Sequence, residues 1–268
     1  MPLSFCLQSP VNPQGEATVA MLEHIEFMRW SGEEVVLSIT DIYPGGDYIP
    51  VGTIEFTHAA MRAAGKEPPT PLNVPQALWA DRAVRLHGYE YEGPYAHMLG
   101  PSKRGGTWSK TKYTGRRMAL MAGSWKHVAL HNHDKGTLHV KSHDKIKGDI
   151  KTSEILQVSD IVDFRAEWRC FVWRGELLDV RCYLGDFRLA PDYGVIEEMI
   201  EVFTDAPCAY TLDVGVISTG ETVVVEAHDF YSCGLYGFRD HHLPLMYAGW
   251  WKEFLRAPEK KLSDQWTN

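Results

Sequence analysis

The sequence predicts an α/β protein, and three observations carry that reading. In the first 65 residues, strand-like runs alternate with segments whose apolar residues recur at helical spacing. Two further pairs of strand-like runs, Glu167–Val172 with Leu177–Leu184 and Tyr210–Ile217 with Thr222–Asp229, bracket turns containing Gly175 and Gly220. Between those pairs, Tyr193–Ala206 sets Val195, Ile196, Met199, Ile200 and Phe203 on one helical face, a core-facing pattern.

Taken in order, Ser4–Gln8 is a short strand candidate and Glu16–Trp30 a helix with Val19, Met21, Leu22, Ile25 and Met28 near helical spacing. Glu34–Asp41 reads as a strand, Pro44–Asp47 as a turn, and Thr57–Ala64 as a helix stopped by Gly65 and the following prolines. Pro68–Pro75 is a connector, and Gln76–Leu86 a further helix candidate. Pro101–Arg117 carries Lys103, Arg104, Lys110, Lys112, Arg116 and Arg117 around Gly105–Gly106. It reads as a basic loop, either solvated or placed over phosphates or an acidic co-substrate; it lacks the spacing of a Walker A loop. His127–His143 holds five of the 12 histidines, including His131-Asn132-His133. Without HExxH or a nearby cysteine, a polar strand edge is a better reading than a zinc or nuclease site. From His241 the tail reads as a helix in which Trp250 and Trp251 pack.

Composition bounds the function. With 44% hydrophobic and 12% aromatic residues, 268 residues build a sizeable core in one large domain or a few packed lobes. A net charge of −8 argues against a nucleic-acid footprint over the whole molecule. No apolar run approaches the roughly 18 residues of a membrane span, and the N-terminus has no signal-peptide pattern. Five scattered cysteines without CxxC fit reduced thiols in the cytoplasm, with Cys170 and Cys182 as strand-borne core fillers.

The chemistry concentrates in Tyr210–Phe238, YTLDVGVISTGETVVVEAHDFYSCGLYGF. If its two strands pair about the Gly220 turn, Asp213 and Glu226 lie near one another, on one face if the register allows, with Asp229 close by. Converging carboxylates at strand ends make a hard-cation site, and magnesium completes such a site with water and substrate phosphates. Upstream, Arg169 sits mid-strand among apolar neighbours, where a charge costs several kcal/mol unless paired, roughly, so a partner is expected. Arg181 lies in the paired strand, either as a second anion contact or in an ion pair with Glu167 or Asp179.

The pattern D-V-G-V … V-V-E-x-x-D … G-L-Y-G, preceded by EWRCFV at Glu167–Val172, resembles the C-terminal half of an ATP-grasp enzyme. Within that superfamily it is similar to a small phage and bacterial clade typed by one arginine and two lysines. The resemblance is strongest over Val140–Phe238 and perceptible over Tyr48–Leu78. It implies two lobes clamping ATP, preceded by a small α/β module: residues 1–90 for the module, 91–157 for the first lobe and 158–268 for the second. It also implies Mg²⁺-dependent ligation of a carboxylate to an amine through an acylphosphate, on a small molecule, peptide or protein. By the same resemblance Lys141 meets the phosphates, with Ser142 where proline is usual, and either Lys145 or Lys147 is the second lysine. Ile155–Asp163 resembles the inter-lobe linker, so that Val158 and Ile161 flank the adenine while the backbone around Ser159 and Asp160 meets its edge. Arg169 takes the arginine that contacts the transferring phosphate. Asp213 and Glu226 take the metal, joined by His228 or Asp229, because the usual E-x-N-D is here Glu226-Ala227-His228-Asp229. Imidazole suits magnesium less well than an oxygen does. Two other classes stand beside the ligase. One is an ATP-binding scaffold, like the assembly chaperone of a translation initiation factor that uses a related fold; the other is a histidine-metal nuclease.

Overall fold

The computed structural model describes residues 2–10, 15–69, 72, 75–78, 88–92, 96–100, 109–113, 128–132, 136–140, 155–160 and 164–257. Lys141, Lys145, Lys147, Ile161 and His133 lie outside these residues, as does most of the expected helix at 76–86.

The N-terminal part is a three-stranded parallel sheet of β1 (Leu3–Gln8), β2 (Val35–Thr40) and β3 (Ile49–Val51), in the order β2-β1-β3. Helix α1 (Gly15–Trp30) follows β1, with Glu16 in its first turn and Arg29 in its last, each matched to the helix dipole. Its buried face is Thr18, Ala20, Met21 and Ile25, whereas Val19 is exposed, so the apolar stripe is rotated from the expected one. Helix α2 (Ile54–Ala63) begins before the expected Thr57, because Thr53 caps it by accepting the Phe56 N–H at 3.2 Å.

Among the described residues between 88 and 160 the backbone forms a four-stranded antiparallel sheet and a two-stranded one. Strands β4 (Gly88–Glu92), β7 (Val128–Asn132), β8 (Gly136–Val140) and β9 (Ile155–Asp160) make a sheet ordered β4-β9-β7-β8. Strands β5 (Ala96–Gly100) and β6 (Ser109–Tyr113) pair separately. Two readings change here. Part of the expected basic loop, Ser109–Tyr113, is a strand. The expected linker is, up to Asp160, an internal strand: Val158 pairs with both Tyr89 and Leu130, and Ser159 with both Gly88 and Ala129. Backbone groups committed to two neighbours are not free for an adenine edge. Among the described residues Asp160 pairs with Val128.

The C-terminal sheet is antiparallel, ordered β11-β10-β12-β13, from β10 (Phe164–Trp173), β11 (Glu176–Gly185), β12 (Ala209–Ile217) and β13 (Thr222–Asp229). Helix α3 (Tyr193–Val202) joins β11 to β12 and is capped by Asp192, whose carboxylate accepts the Gly194 N–H at 2.9 Å. It presses Ile196, Met199 and Ile200 onto Cys170, Val172, Leu212, Val214 and Ala227, filling one face of the sheet. On the opposite face Phe171 and Trp173 join a second core, which also takes Phe5, Met21 and Ile25 from the N-terminal part and Tyr247, Trp250 and Trp251 from helix α4 (Leu243–Arg256). Gly215 has a packing reason: an added Cβ would run into the Phe164 ring.

Candidate functional site

Further along the face that carries Phe171 and Trp173, the sheet turns polar. Register pairs Arg181 with Arg169, Arg169 with Asp213 and Asp213 with Glu226, one residue from each strand in a row. Directly opposed residues share a face, so the row reads two cations and then two anions. Plain alternation along β13 would point Glu226 the same way as Val224, into the apolar core. A bulge prevents this. The pairing passes from Asp213–Glu226 to Val214–Val224, leaving Val225 extra, so Val224 stays in the core while Glu226 reaches the polar face.

Arg169 and Asp213 form a two-pronged ion pair, Nε to Oδ1 at 2.8 Å and Nη2 to Oδ2 at 2.7 Å, and Nη1 donates to the Gly234 carbonyl at 3.1 Å. The two side chains are 7% and 1% exposed, so this is the buried partner that the mid-strand arginine required. Burial pulls the guanidinium down, and Asp213 more than reverses it, so Arg169 stays charged. Burial likewise pushes the Asp213 carboxyl up, but Arg169 and then His228 hold it below its ordinary value.

His228 closes the cluster. Its Nε2 lies 3.0 Å from Glu226 Oε1 and 3.7 Å from Asp213 Oδ2. Burial lowers its pKa, yet the two carboxylates outweigh burial and raise it to about 9. Asp213, Glu226 and His228 bring one ligand atom each within 4.8 Å of one another. Two carboxylates and an imidazole are a donor set that a divalent cation can use; Glu226, about one-third exposed, is the open oxygen ligand, while Arg169 already occupies both oxygens of Asp213. Asp229 stands apart from this cluster, with Oδ1 accepting the Trp250 indole N–H at 3.1 Å. Arg181 pairs with Asp179, its Nε donating to Oδ2 at 2.8 Å, and keeps 43% of its side chain exposed.

Two aromatic residues complete the face, and the sequence pattern does not single them out. Tyr183 and Tyr236 stack at 5.1 Å with an interplanar angle of 15°, and the Arg169 guanidinium lies 5.6 and 5.0 Å from their ring centroids. The available signal is Tyr236 inside G-L-Y-G, a bulky residue flanked by turn-forming glycine.

Residues 126–243 match a family model for the ATP-grasp domain, the second family of the clade typed by one arginine and two lysines. Those residues carry an ATP-grasp domain. The matched residues span the charged row, its metal-type cluster and the tyrosine pair. Solved structures share the fold. D-cycloserine synthetase DcsG superposes with a TM-score of 0.54 at 10% identity, covering 94% of this chain and 100% of that one. The ATP-grasp ligase PsnB complexed with minimal precursor gives 0.51 at 12% identity, with 93% and 99% covered. N5-carboxyaminoimidazole synthetase from Staphylococcus aureus gives 0.51 at 9% identity, with 92% and 78% covered. At such identities the likeness is one of fold. No curated protein sequence matches this chain. Among the described residues no helix is long and apolar enough to cross a membrane.

Proposed function

We propose that this ATP-grasp protein is an ATP-dependent ligase that joins a carboxylate to an amine. The observation that carries the reading is the row Arg181, Arg169, Asp213 and Glu226, with His228 beside it, set across the four strands of the sheet inside the ATP-grasp domain. Fold likeness to a cycloserine synthetase and to a ligase that takes a precursor supports it, and so does the chemistry of the row. A carboxylate oxygen attacks the γ-phosphorus, ADP leaves, and the amine displaces phosphate from the acylphosphate to form an amide. Positioning and charge neutralisation supply most of such catalysis.

In this scheme residues 91–157 and 158–268 are the two lobes that close on ATP, and residues 1–90 precede them. Lys141, with Lys145 or Lys147, neutralises the triphosphate, and Val158 and Ile161 flank the adenine. Arg169 holds the Asp213 carboxylate in one orientation, and Arg181 offers its exposed charge to the substrate acid. Glu226, Asp213 and His228 would hold Mg²⁺, which supplies positive charge against the triphosphate oxygens. Five free cysteines fit a cytoplasmic setting.

A second reading, an ATP-binding scaffold or assembly chaperone, is favoured by one observation: both Asp213 oxygens are bonded to Arg169 and His228 favours its charged form. Calorimetric titration of ATP with and without Mg²⁺, on wild type and Glu226→Ala, tests the site. The ligase reading expects magnesium-dependent binding that the variant loses, and ADP release when carboxylates are supplied with hydroxylamine. ATP binding with no ADP release from any acid would favour the scaffold, and a folded protein that binds no ATP overturns both.

A further inference from the structure

The row of charges explains phosphate and metal chemistry but leaves the tyrosine pair without a task. Both rings are placed by irregular backbone. Tyr183 is the extra residue of a bulge, since pairing with β10 passes from Glu167–Leu184 to Trp168–Cys182. Tyr236 has a φ of 49°, in the left-handed region that a bulky side chain rarely enters. The next residue, Gly237, donates its N–H to Glu16 Oε1 at 2.5 Å, tying this loop to helix α1. Gly234 runs beside both groups: a Cβ there would be in ordinary van der Waals contact with the Tyr236 ring, at 3.4 Å, and with Arg169 Nη1, at 3.6 Å.

This effort does not bury Tyr236, which remains 46% exposed. Tyr183 is anchored by its hydroxyl, which donates to Glu167 Oε2 at 2.7 Å. The result is a fixed, half-open aromatic surface beside the buried guanidinium. Two positions along β11 from Tyr183, and on the row itself, stands the part-exposed Arg181. A flat π surface next to a cation complements a ligand that joins a planar ring to an anion.

We propose that Tyr183 and Tyr236 form the specificity platform for the substrate acid, and that this acid carries an aromatic group whose carboxylate lies toward Arg181 and Arg169. The inference rests on the ligase reading above for its role, but the platform is measured separately. The probe is phenylacetate, with acetate as control, titrated into the ATP-saturated protein by saturation-transfer NMR and calorimetry. The variants are Tyr236→Gly, which removes the ring while relieving the left-handed backbone, and Tyr236→Phe, which keeps the ring. Phenylacetate is expected to bind in preference to acetate, to weaken about tenfold or more in Tyr236→Gly, and to bind normally to Tyr236→Phe. ATP affinity should be the same in all three proteins. Where hydroxylamine traps an acylphosphate, one hydroxamate and one phosphate form per ADP, and the loss in Tyr236→Gly should fall on the KM for phenylacetate. Phenylacetate binding that is absent from wild type, or equal in wild type and Tyr236→Gly, overturns the platform. So does weakened ATP binding in Tyr236→Gly, which would make the ring an adenine contact. Phenylacetate binding that depends on Tyr236 without any ADP release keeps the platform and overturns the ligase.

Discussion

The two faces of the C-terminal sheet are made by the same strands and obey opposite rules. On one, Cys170, Val172, Leu212, Val214 and Ala227 meet helix α3, and each contact is non-directional. On the other, Arg169, Asp213, Glu226 and His228 are held by named partners at hydrogen-bond or ion-pair distances. The apolar face tolerates exchange of one shape for a similar one. At the Arg169–Asp213 pair the polar face tolerates no loss of a single partner, because what remains is a buried charge.

That contrast is sharpest at the ion pair. Arg169→Ala should lower unfolding stability by about 3–5 kcal/mol, since Asp213 at 1% exposure would be left uncompensated. Urea unfolding measures this, and replacing both residues together, Arg169→Met with Asp213→Leu, should recover most of the loss. A single-variant cost below about 1 kcal/mol would erase the distinction between the faces. On the apolar face Leu212→Ala should cost about 2–5 kcal/mol, while Leu212→Met stays below about 1.5 kcal/mol. ATP affinity of the folded Leu212→Met protein should equal that of wild type.

Smaller effects are expected at the open end of the polar face. His228→Asn replaces an imidazole by an oxygen donor and should tighten magnesium binding by about tenfold, or about 1.4 kcal/mol, read from the Mg²⁺ dependence of ATP titrations. Unchanged magnesium dependence would remove His228 from the cation site. The smallest effect is a slope with pH. The folded pKa of His228 is raised from 6.5 to about 9, so its stabilisation is complete below 6.5 and is lost as pH rises through about 9. Asp213 has the opposite sign: its folded value is lowered, so its contribution is present above 3.8 and is lost as pH falls through that lower value. In magnesium-free buffer the wild-type urea midpoint should therefore fall across the alkaline window, and His228→Asn should lack that fall.

Much of this architecture is legible in the chain. The sequence places the hairpin at Tyr210–Ile217 and Thr222–Asp229, and the fold shows Ala209–Ile217 and Thr222–Asp229, because β-branched runs around a glycine turn are a local signal. Helix α3 is legible from its apolar face, and the need for a partner at Arg169 from the cost of a mid-strand charge. The strand character of Val158–Asp160 is not, since pairing there depends on strands distant in the chain. That of Ser109–Tyr113 is not either, since Lys110 and Lys112 make it read as part of a basic loop although its partner Ala96–Gly100 is the preceding strand. For Arg181 the sequence keeps both an anion contact and an ion pair open, and its bond to Asp179 emerges only in the fold.

By itself the sequence determined the local order: which runs are strands, where glycine turns them, and which residues carry charge. Tertiary structure alone decided who meets whom. Asp213 reaches Arg169 across 44 residues through the pairing of β10 with β12. Val224 and Glu226 part company because one bulge resets the alternation, and Tyr183 meets Tyr236 because a second bulge and a left-handed turn aim them together. Periodicity specifies a side chain's face within its own strand; register with a distant strand, which a single inserted residue inverts, specifies its partner.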